Sequence, residues 1–159
     1  MRSLVVALGL AVSASPLFAG FVHAEAGLLC LSRLHDGEVL RRVSTAADGT
    51  FSLSFIHSVS KTPVIDRYLL RDGVIVQTAE IFHAHGAGLP SIANDLDATG
   101  WRHENGSFIL DMERLTGPIH LRVQAAYKNT LHNGSTDLPL ASLGASVITL
   151  APCTMETDP

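Results

Sequence analysis

The stretch SFIHSVSKTPVIDRYLL, residues 54–70, carries the clearest indication of the fold. Each of its two halves alternates apolar and polar residues, as a strand with one buried face does, and a polar turn joins them. Upstream of the turn, Phe51, Leu53 and Phe55 point to one face, and His57 ends that side. The pattern indicates a β-hairpin with a histidine in a position that is usually hydrophobic.

The same period of two continues along most of the chain, and turn-forming pairs such as Asp48-Gly49 and Asn105-Gly106 interrupt it. The predicted strands are 27–34, 38–44, 51–58, 64–70, 74–84, 100–104, 107–112, 118–127 and 144–151. This spacing predicts an all-β fold, a single-domain antiparallel β-sandwich or partly open barrel of about eight to nine short strands. One helical turn is expected in TDLPLASLG, residues 136–144, with Asp137 as its N-cap and Gly144 at its end.

The N-terminus has the features of a secretory signal peptide. Arg2 precedes an apolar run over residues 4–18, and Ala24 is a suitable small residue before a cleavage site. We therefore expect residues 1–24 to be removed and residues 25–159 to form a single β domain that is periplasmic or otherwise exported. After cleavage, no remaining segment is long and apolar enough to span a membrane.

Composition limits the possible binding partners and predicts a disulfide. The chain has 11 basic and 15 acidic residues, and this balance argues against a surface for nucleic acid or anionic membranes. Its two cysteines, Cys30 and Cys153, predict a disulfide in an oxidising compartment. The alternative is a pair of free thiols on neighbouring terminal strands.

The chemistry of the central hairpin suggests a strand register. A four-residue turn over 60–63 would match the side chains in three cross-strand pairs. These pairs are Leu53 with Leu70, Phe55 with Tyr68, and His57 with Asp66.

The next turn extends this prediction to a third strand. A three-residue loop that ends in a bulge at Gly73 would bring Thr78 and Glu80 to the face that carries His57 and Asp66. The competing two-residue turn, Asp72-Gly73, would send Glu80 to the opposite face.

The predicted cluster of His57, Asp66 and Glu80 allows two interpretations. It is either a polar group that satisfies itself at the rim of the core, or a site for a ligand or metal ion. Ser58 points away from His57 along the strand, so this histidine is not expected to activate it as a nucleophile.

Other candidate sites carry weaker signals. His83 and His85 have a spacing compatible with metal binding on a strand, but a solvated pair is the commoner outcome. Residues 94–97 offer oxygen ligands without the glycine and distal glutamate of a calcium loop. The corner HGAGLP, residues 85–90, is either a sharp turn or a place where backbone N–H groups converge on a ligand.

Two segments together resemble a known bacterial family. FIHSVSKTPVIDRYLL, residues 55–70, and TAEIFHAHGAGLP, residues 78–90, are similar to the pattern of domain of unknown function 1850. The residues that match this pattern are His57, Ser58, Val59, Thr62, Pro63, Asp66, Tyr68, Glu80, Gly86, Ala87, Gly88 and Pro90. His83 and His85 depart from it, which weakens any metal site built on them.

The resemblance implies an exported protein associated with tripartite ATP-independent periplasmic transporters of the TAXI type. We therefore expect a non-enzymatic accessory or binding protein without a cofactor, whose partners are transporter subunits or a small solute. The alternatives are a metal-binding and possibly hydrolytic site on His57, Asp66 and Glu80, and a purely structural interaction domain.

Overall fold

The computed structural model describes residues 26–84, 89 and 97–153. The predicted signal peptide lies outside the described residues, as do five of the six residues of the glycine corner: His85, Gly86, Ala87, Gly88 and Pro90.

The described residues form eleven β-strands and two short 3-10 helices. The strands are β1 (Leu28–Arg33), β2 (Val39–Ser44), β3 (Thr50–Ile56), β4 (Pro63–Arg71), β5 (Val74–Phe82), β6 (Ala98–Glu104), β7 (Ser107–Leu115), β8 (Ile119–Arg122), β9 (Thr130–His132), β10 (Asp137–Pro139) and β11 (Val147–Pro152). The 3-10 helices are η1 (Ala125–Tyr127) and η2 (Leu140–Leu143). Within this part of the chain, no helix has the length and apolar character needed to cross a membrane.

The strands build two antiparallel sheets. The small sheet has the order β2-β1-β11-β8, and the large sheet has the order β10-β9-β3-β4-β5-β7-β6. The predicted all-β antiparallel sandwich is therefore confirmed, with two open sheets instead of a closed barrel. All nine predicted strands are present, but the strand predicted over 118–127 ends at Arg122, and η1 occupies the last part of that range. β9 and β10 were not predicted because three-residue strands are too short to show a period.

The hydrophobic core lies between the small sheet and one part of the large sheet. Alternating residues of β1 and β11 point inward, and Leu29, Leu31, Ile148 and Leu150 are fully buried. They pack against inward residues of the large sheet such as Leu131. Each such side chain contributes about 1.5–3 kcal/mol by leaving water, which makes this burial the main stabilising term of the sandwich.

The predicted disulfide between Cys30 and Cys153 is confirmed. It links β1 to the residue that follows β11, where the Cys153 N–H also donates to the Leu28 carbonyl. The bond joins residues separated by 123 positions. Closing a loop of that size stabilises the fold by about 4–5 kcal/mol in the chain-entropy model.

The predicted register of the central hairpin is wrong by four residues. In the structure Phe51 lies opposite Tyr68, and Leu53 lies opposite Asp66. The connection is also longer than predicted, because the His57 N–H donates to the Thr62 carbonyl and closes a loop over residues 57–62. His57 therefore does not pair with Asp66.

The second hairpin has the two-residue turn instead of the predicted three-residue loop. Asp72 and Gly73 both have positive φ, 53° and 73°, as a type I′ turn requires. A bulge then inserts Thr78 as an extra residue in β5, between the pairs that Gln77 and Ala79 make with β4. This extra residue reverses the facing of the strand and brings Glu80 directly opposite Asp66.

The segment 136–144 differs from its predicted helical turn. Its first part is β10, and η2 begins only after Pro139, with no side-chain cap. Asp137 is thus not an N-cap, whereas Gly144 ends the helix in the left-handed conformation as predicted.

Candidate functional site

A group of polar side chains lies on the inner face of the large sheet, beside the hydrophobic core. Asp66 and Tyr68 project from β4, Gln77 and Glu80 from β5, and Arg114 from β7; we call these five residues the inner polar cluster. The strand register brings them together, since Asp66 lies opposite Glu80, Tyr68 opposite Gln77, and Gln77 opposite Arg114.

Hydrogen bonds connect the members of the inner polar cluster. The Gln77 amide donates from Nε2 to Asp66 Oδ1 at 3.2 Å, and the Tyr68 hydroxyl also bonds to Asp66. Arg114 donates from Nη1 to Gln77 Oε1 at 3.3 Å and from Nε to Asp97 Oδ2 at 2.9 Å. A continuous polar path therefore runs from Tyr68 through Asp66, Gln77 and Arg114 to Asp97.

The path leads from the protein interior towards solvent. Tyr68 and Gln77 are buried, at 5% and 7% exposure, whereas Asp66, Glu80 and Arg114 are partly buried and Asp97 is exposed. Within the described part of the chain, every buried side-chain nitrogen and oxygen has a hydrogen-bond partner. The cluster is thus a satisfied polar network whose hydrogen bonds reach an exposed residue, Asp97.

Burial sets the protonation of this network. Removal from water raises the pKa of Asp66 to about 6, although the Tyr68 bond, the charge of Arg114 and the Gln77 bond all act to lower it. Burial also raises the pKa of Tyr68 above its ordinary value, and the negative charge of Asp66 adds to this effect. Tyr68 therefore stays a neutral hydrogen-bond donor, while Asp66 changes its charge near pH 6.

The structure brings together three of the residues predicted for the site. Asp66, Tyr68 and Glu80 all belong to the inner polar cluster. Pro63 is the first residue of β4, and Ser58 is exposed in the preceding loop.

His57 instead organises the loop between β3 and β4. Its Nδ1 accepts the Ser60 N–H at 3.1 Å and lies 3.0 Å from the Ser60 hydroxyl, which in turn lies 2.8 Å from the Thr62 hydroxyl. These contacts make His57 and Thr62 parts of the loop closure, a role that differs from the predicted carboxylate partner.

The predicted metal set of His57, Asp66 and Glu80 depended on the register that the structure corrects. Over residues 26–84 and 97–153, no three His, Cys, Asp or Glu side chains are arranged to hold a metal ion. His83 is exposed, with its ring nitrogens 3.5 Å from the Pro63 carbonyl and 3.2 Å from the Ser107 hydroxyl. His85 lies outside the described residues.

Sequence reasoning missed Gln77 because the predicted three-residue loop turned it to the opposite face, and it missed Arg114 because the predicted strand 107–112 ends before it. It also missed a chain of hydrogen bonds on the outer face of the large sheet. Ser54 Oγ lies 2.8 Å from His132 Nε2, and His132 Nδ1 lies 2.6 Å from Asp137 Oδ1. We call these three residues the outer chain.

Comparison with known proteins places the chain in a family. No curated protein and no solved structure shows significant similarity to it. The family model described as Domain of unknown function (DUF1850) matches residues 51–140, more than half of the chain. The matched segment contains the inner polar cluster and the outer chain. The protein therefore belongs to the DUF1850 family.

Proposed function

We propose that the protein is an exported, solute-binding accessory of a TAXI-type tripartite ATP-independent periplasmic transporter, and that the inner polar cluster is its binding site. The observation that carries the binding role is the Asp66 carboxyl, which is held by Tyr68 and Gln77 opposite Glu80 on the inner face of the sheet.

The charged form of the Asp66 carboxyl opposes folding at this position. Moving a carboxylate out of water is unfavourable, and hydrophobic residues of similar size often stabilise a core more than buried charged groups do. The raised pKa of Asp66 reflects this penalty, which the hydrogen bonds of Tyr68 and Gln77 only partly offset. A binding role would explain why these polar residues occupy the inner face, since the stability of the sandwich does not require them there.

The chemistry of the inner polar cluster suits a small polar solute. Asp66 and Glu80 accept hydrogen bonds from ligand hydroxyl or amino groups, and Gln77 offers both a donor and an acceptor. The hydrogen-bonded path has the buried Tyr68 at one end and the exposed Asp97 at the other, so its outer end is in contact with water.

The link to export and to a transporter is supported by sequence. The first residues resemble a signal peptide, and the HSV and TP motifs with the GAG corner carry the resemblance to a family that implies an association with TAXI-type transporters. A cluster for a small polar molecule fits an accessory of solute uptake.

A thermal-shift screen with small polar solutes tests the binding role. We expect at least one solute to raise the melting temperature of the purified protein, and Asp66→Asn or Glu80→Gln to remove that increase. Matched controls are Asp72→Asn, in the exposed β4–β5 turn, and Glu113→Gln, whose side chain is 67% exposed. These controls keep the response, whereas loss of the response in all four variants would contradict a site at the inner polar cluster.

Affinity capture tests the transporter role separately. The tagged protein is expected to retain the solute-binding and membrane subunits of the transporter encoded in the same organism. Solute binding without capture of either subunit would contradict the accessory role and leave the binding site in place.

A further inference from the structure

The outer chain lies on the face of the large sheet opposite to the inner polar cluster. His132 in β9 pairs with Ser52 of β3 on one side and with Asp137 of β10 on the other. Ser54 is two residues beyond Ser52 and points to the same face, because side chains alternate along a strand.

The hydrogen bonds of the outer chain fix the direction in which a proton moves. The Asp137 carboxylate, 2.6 Å from Nδ1, holds the proton of His132 on that nitrogen. Nε2 is then an acceptor, and the Ser54 hydroxyl at 2.8 Å donates to it. This is the order of groups that activates a serine hydroxyl as a nucleophile, with the base oriented by a third group.

A shallow depression adjoins the outer chain. It has a volume of about 370 Å³, and its lining includes His132, Ser52, Arg67 and Gly134. Arg67 lies opposite Ser52 and brings a positive charge to this surface. The His132 side chain is 31% exposed, so a small molecule in the depression can reach its ring.

We propose that the outer chain is a second site, an esterase-type centre in which Ser54 is the nucleophile, His132 the general base and Asp137 the residue that orients His132. Its substrates are small carboxylic esters, and Arg67 favours those whose acyl group is anionic. This activity goes beyond solute binding at the inner polar cluster and uses none of its residues.

The reaction needs only the ester and water. Ser54 Oγ forms a bond to the carbonyl carbon while its proton passes to His132 Nε2. The carbon–oxygen bond to the leaving alkoxide then breaks, and the proton returns to that oxygen to release an alcohol. Water attacks the acyl group on Ser54 by the same proton transfers and releases a carboxylic acid with the free serine.

Labelling with a fluorophosphonate tests the proposal directly. The probe forms a stable phosphonyl ester with an activated serine, and peptide mass spectrometry locates it. We expect one adduct, on Ser54, that is absent in Ser54→Ala and retained in Ser58→Ala, which changes an exposed serine of the β3–β4 loop. Asp137→Asn is expected to slow labelling by a factor of about 10 or more, because His132 loses the carboxylate that orients it. Circular dichroism of this variant is expected to show an intact fold.

Hydrolysis of p-nitrophenyl acetate provides a second measurement. The unmodified protein is expected to release p-nitrophenol at a rate that Ser54→Ala and His132→Ala each abolish, because the serine needs its general base. Absence of an adduct on Ser54 under excess probe, or equal labelling of the Asp137→Asn variant, would overturn the proposal and leave the outer chain as a structural link between β3, β9 and β10.

Discussion

The two faces of the large sheet carry polar groups of similar composition in different surroundings. On the inner face, Asp66 is bonded to Gln77 and Tyr68, and burial raises its pKa to about 6. On the outer face, Asp137 is bonded to His132, but its side chain is 75% exposed. Access to water therefore sets what each carboxylate is expected to contribute to stability, because exposed charges are screened and buried charges lose their hydration.

The largest expected difference in the free energy of unfolding is between two variants of neighbouring residues in β9. Leu131 is 1% exposed on the inner side of β9, and its neighbour His132 points outward. Leu131→Ala is expected to lower the free energy of unfolding by about 2–5 kcal/mol, because it removes buried methyl groups and leaves a cavity. His132→Ala is expected to lower it by less than about 1 kcal/mol. Urea denaturation of both variants measures the difference, and equal losses would contradict the assignment of the two faces.

The next effect concerns the charge of Asp66. Its pKa in the folded state, about 6, lies above the ordinary value of 3.8, so the folded protein binds this proton more tightly than the unfolded chain does. The contribution of Asp66 to stability is therefore most favourable below pH 4 and is lost as pH rises through 6. The free energy of unfolding of Asp66→Asn, relative to the unmodified protein, should increase across this window by up to about 3 kcal/mol.

Urea titrations between about pH 4 and pH 7.5 measure this relative stability, a range that spans the carboxyl transition. Asp72→Asn, which removes a carboxylate from the exposed turn, is the control. A relative stability of Asp66→Asn that is constant across the range would show that Asp66 does not lie in a buried environment.

Removal of one hydrogen bond from the inner polar cluster is expected to have a smaller effect. Tyr68→Phe deletes the hydroxyl that bonds to Asp66 and keeps the ring, which stacks on Phe51 at 5.1 Å. We expect a loss of about 1–3 kcal/mol at neutral pH, where Asp66 is ionised, because a partly buried carboxylate loses a donor. Tyr127→Phe, in η1, is the matched control, and equal losses in the two variants would contradict the Tyr68–Asp66 bond.

The smallest effect is expected at the outer chain. Asp137→Asn should change the free energy of unfolding by less than about 1 kcal/mol, because exposed ion pairs are screened by water. Thermal or urea denaturation measures it. A loss as large as that of Tyr68→Phe would mean that the two faces do not differ in the way described.

The faces of β3 and β4 could be predicted from sequence, but the register between them could not. Alternation from Phe51 to Phe55 and from Val64 to Leu70 assigns each side chain to a side. A slip of four residues keeps every side chain on that side. It also keeps an aromatic pair across the strands, with Phe51 beside Tyr68 in place of Phe55. The true register depends on the six-residue loop that His57, Ser60 and Thr62 close, and its hydrogen bonds have no periodic signal.

The candidate site was predicted in part, and partly for the wrong reason. Asp66 and Glu80 were expected on one face and are found there, yet the three-residue turn that placed them together is wrong. The turn has two residues, and the bulge at Thr78 compensates for the change. Bulges depend on how a strand fits two neighbours at once, and residues close in sequence do not report that fit.

The all-β class, the Cys30–Cys153 bridge and the inward faces of β3 and β4 could be predicted from the amino-acid sequence. These properties follow from local alternation and from a cysteine count that allows a single bridge. Only the folded structure shows that Gln77 and Arg114 belong to the hydrogen-bond network of Asp66. The same holds for the hydrogen bonds that link Ser54, His132 and Asp137. The physical reason is that such contacts join residues far apart in the chain, so that each depends on register, bulges and loop closure together.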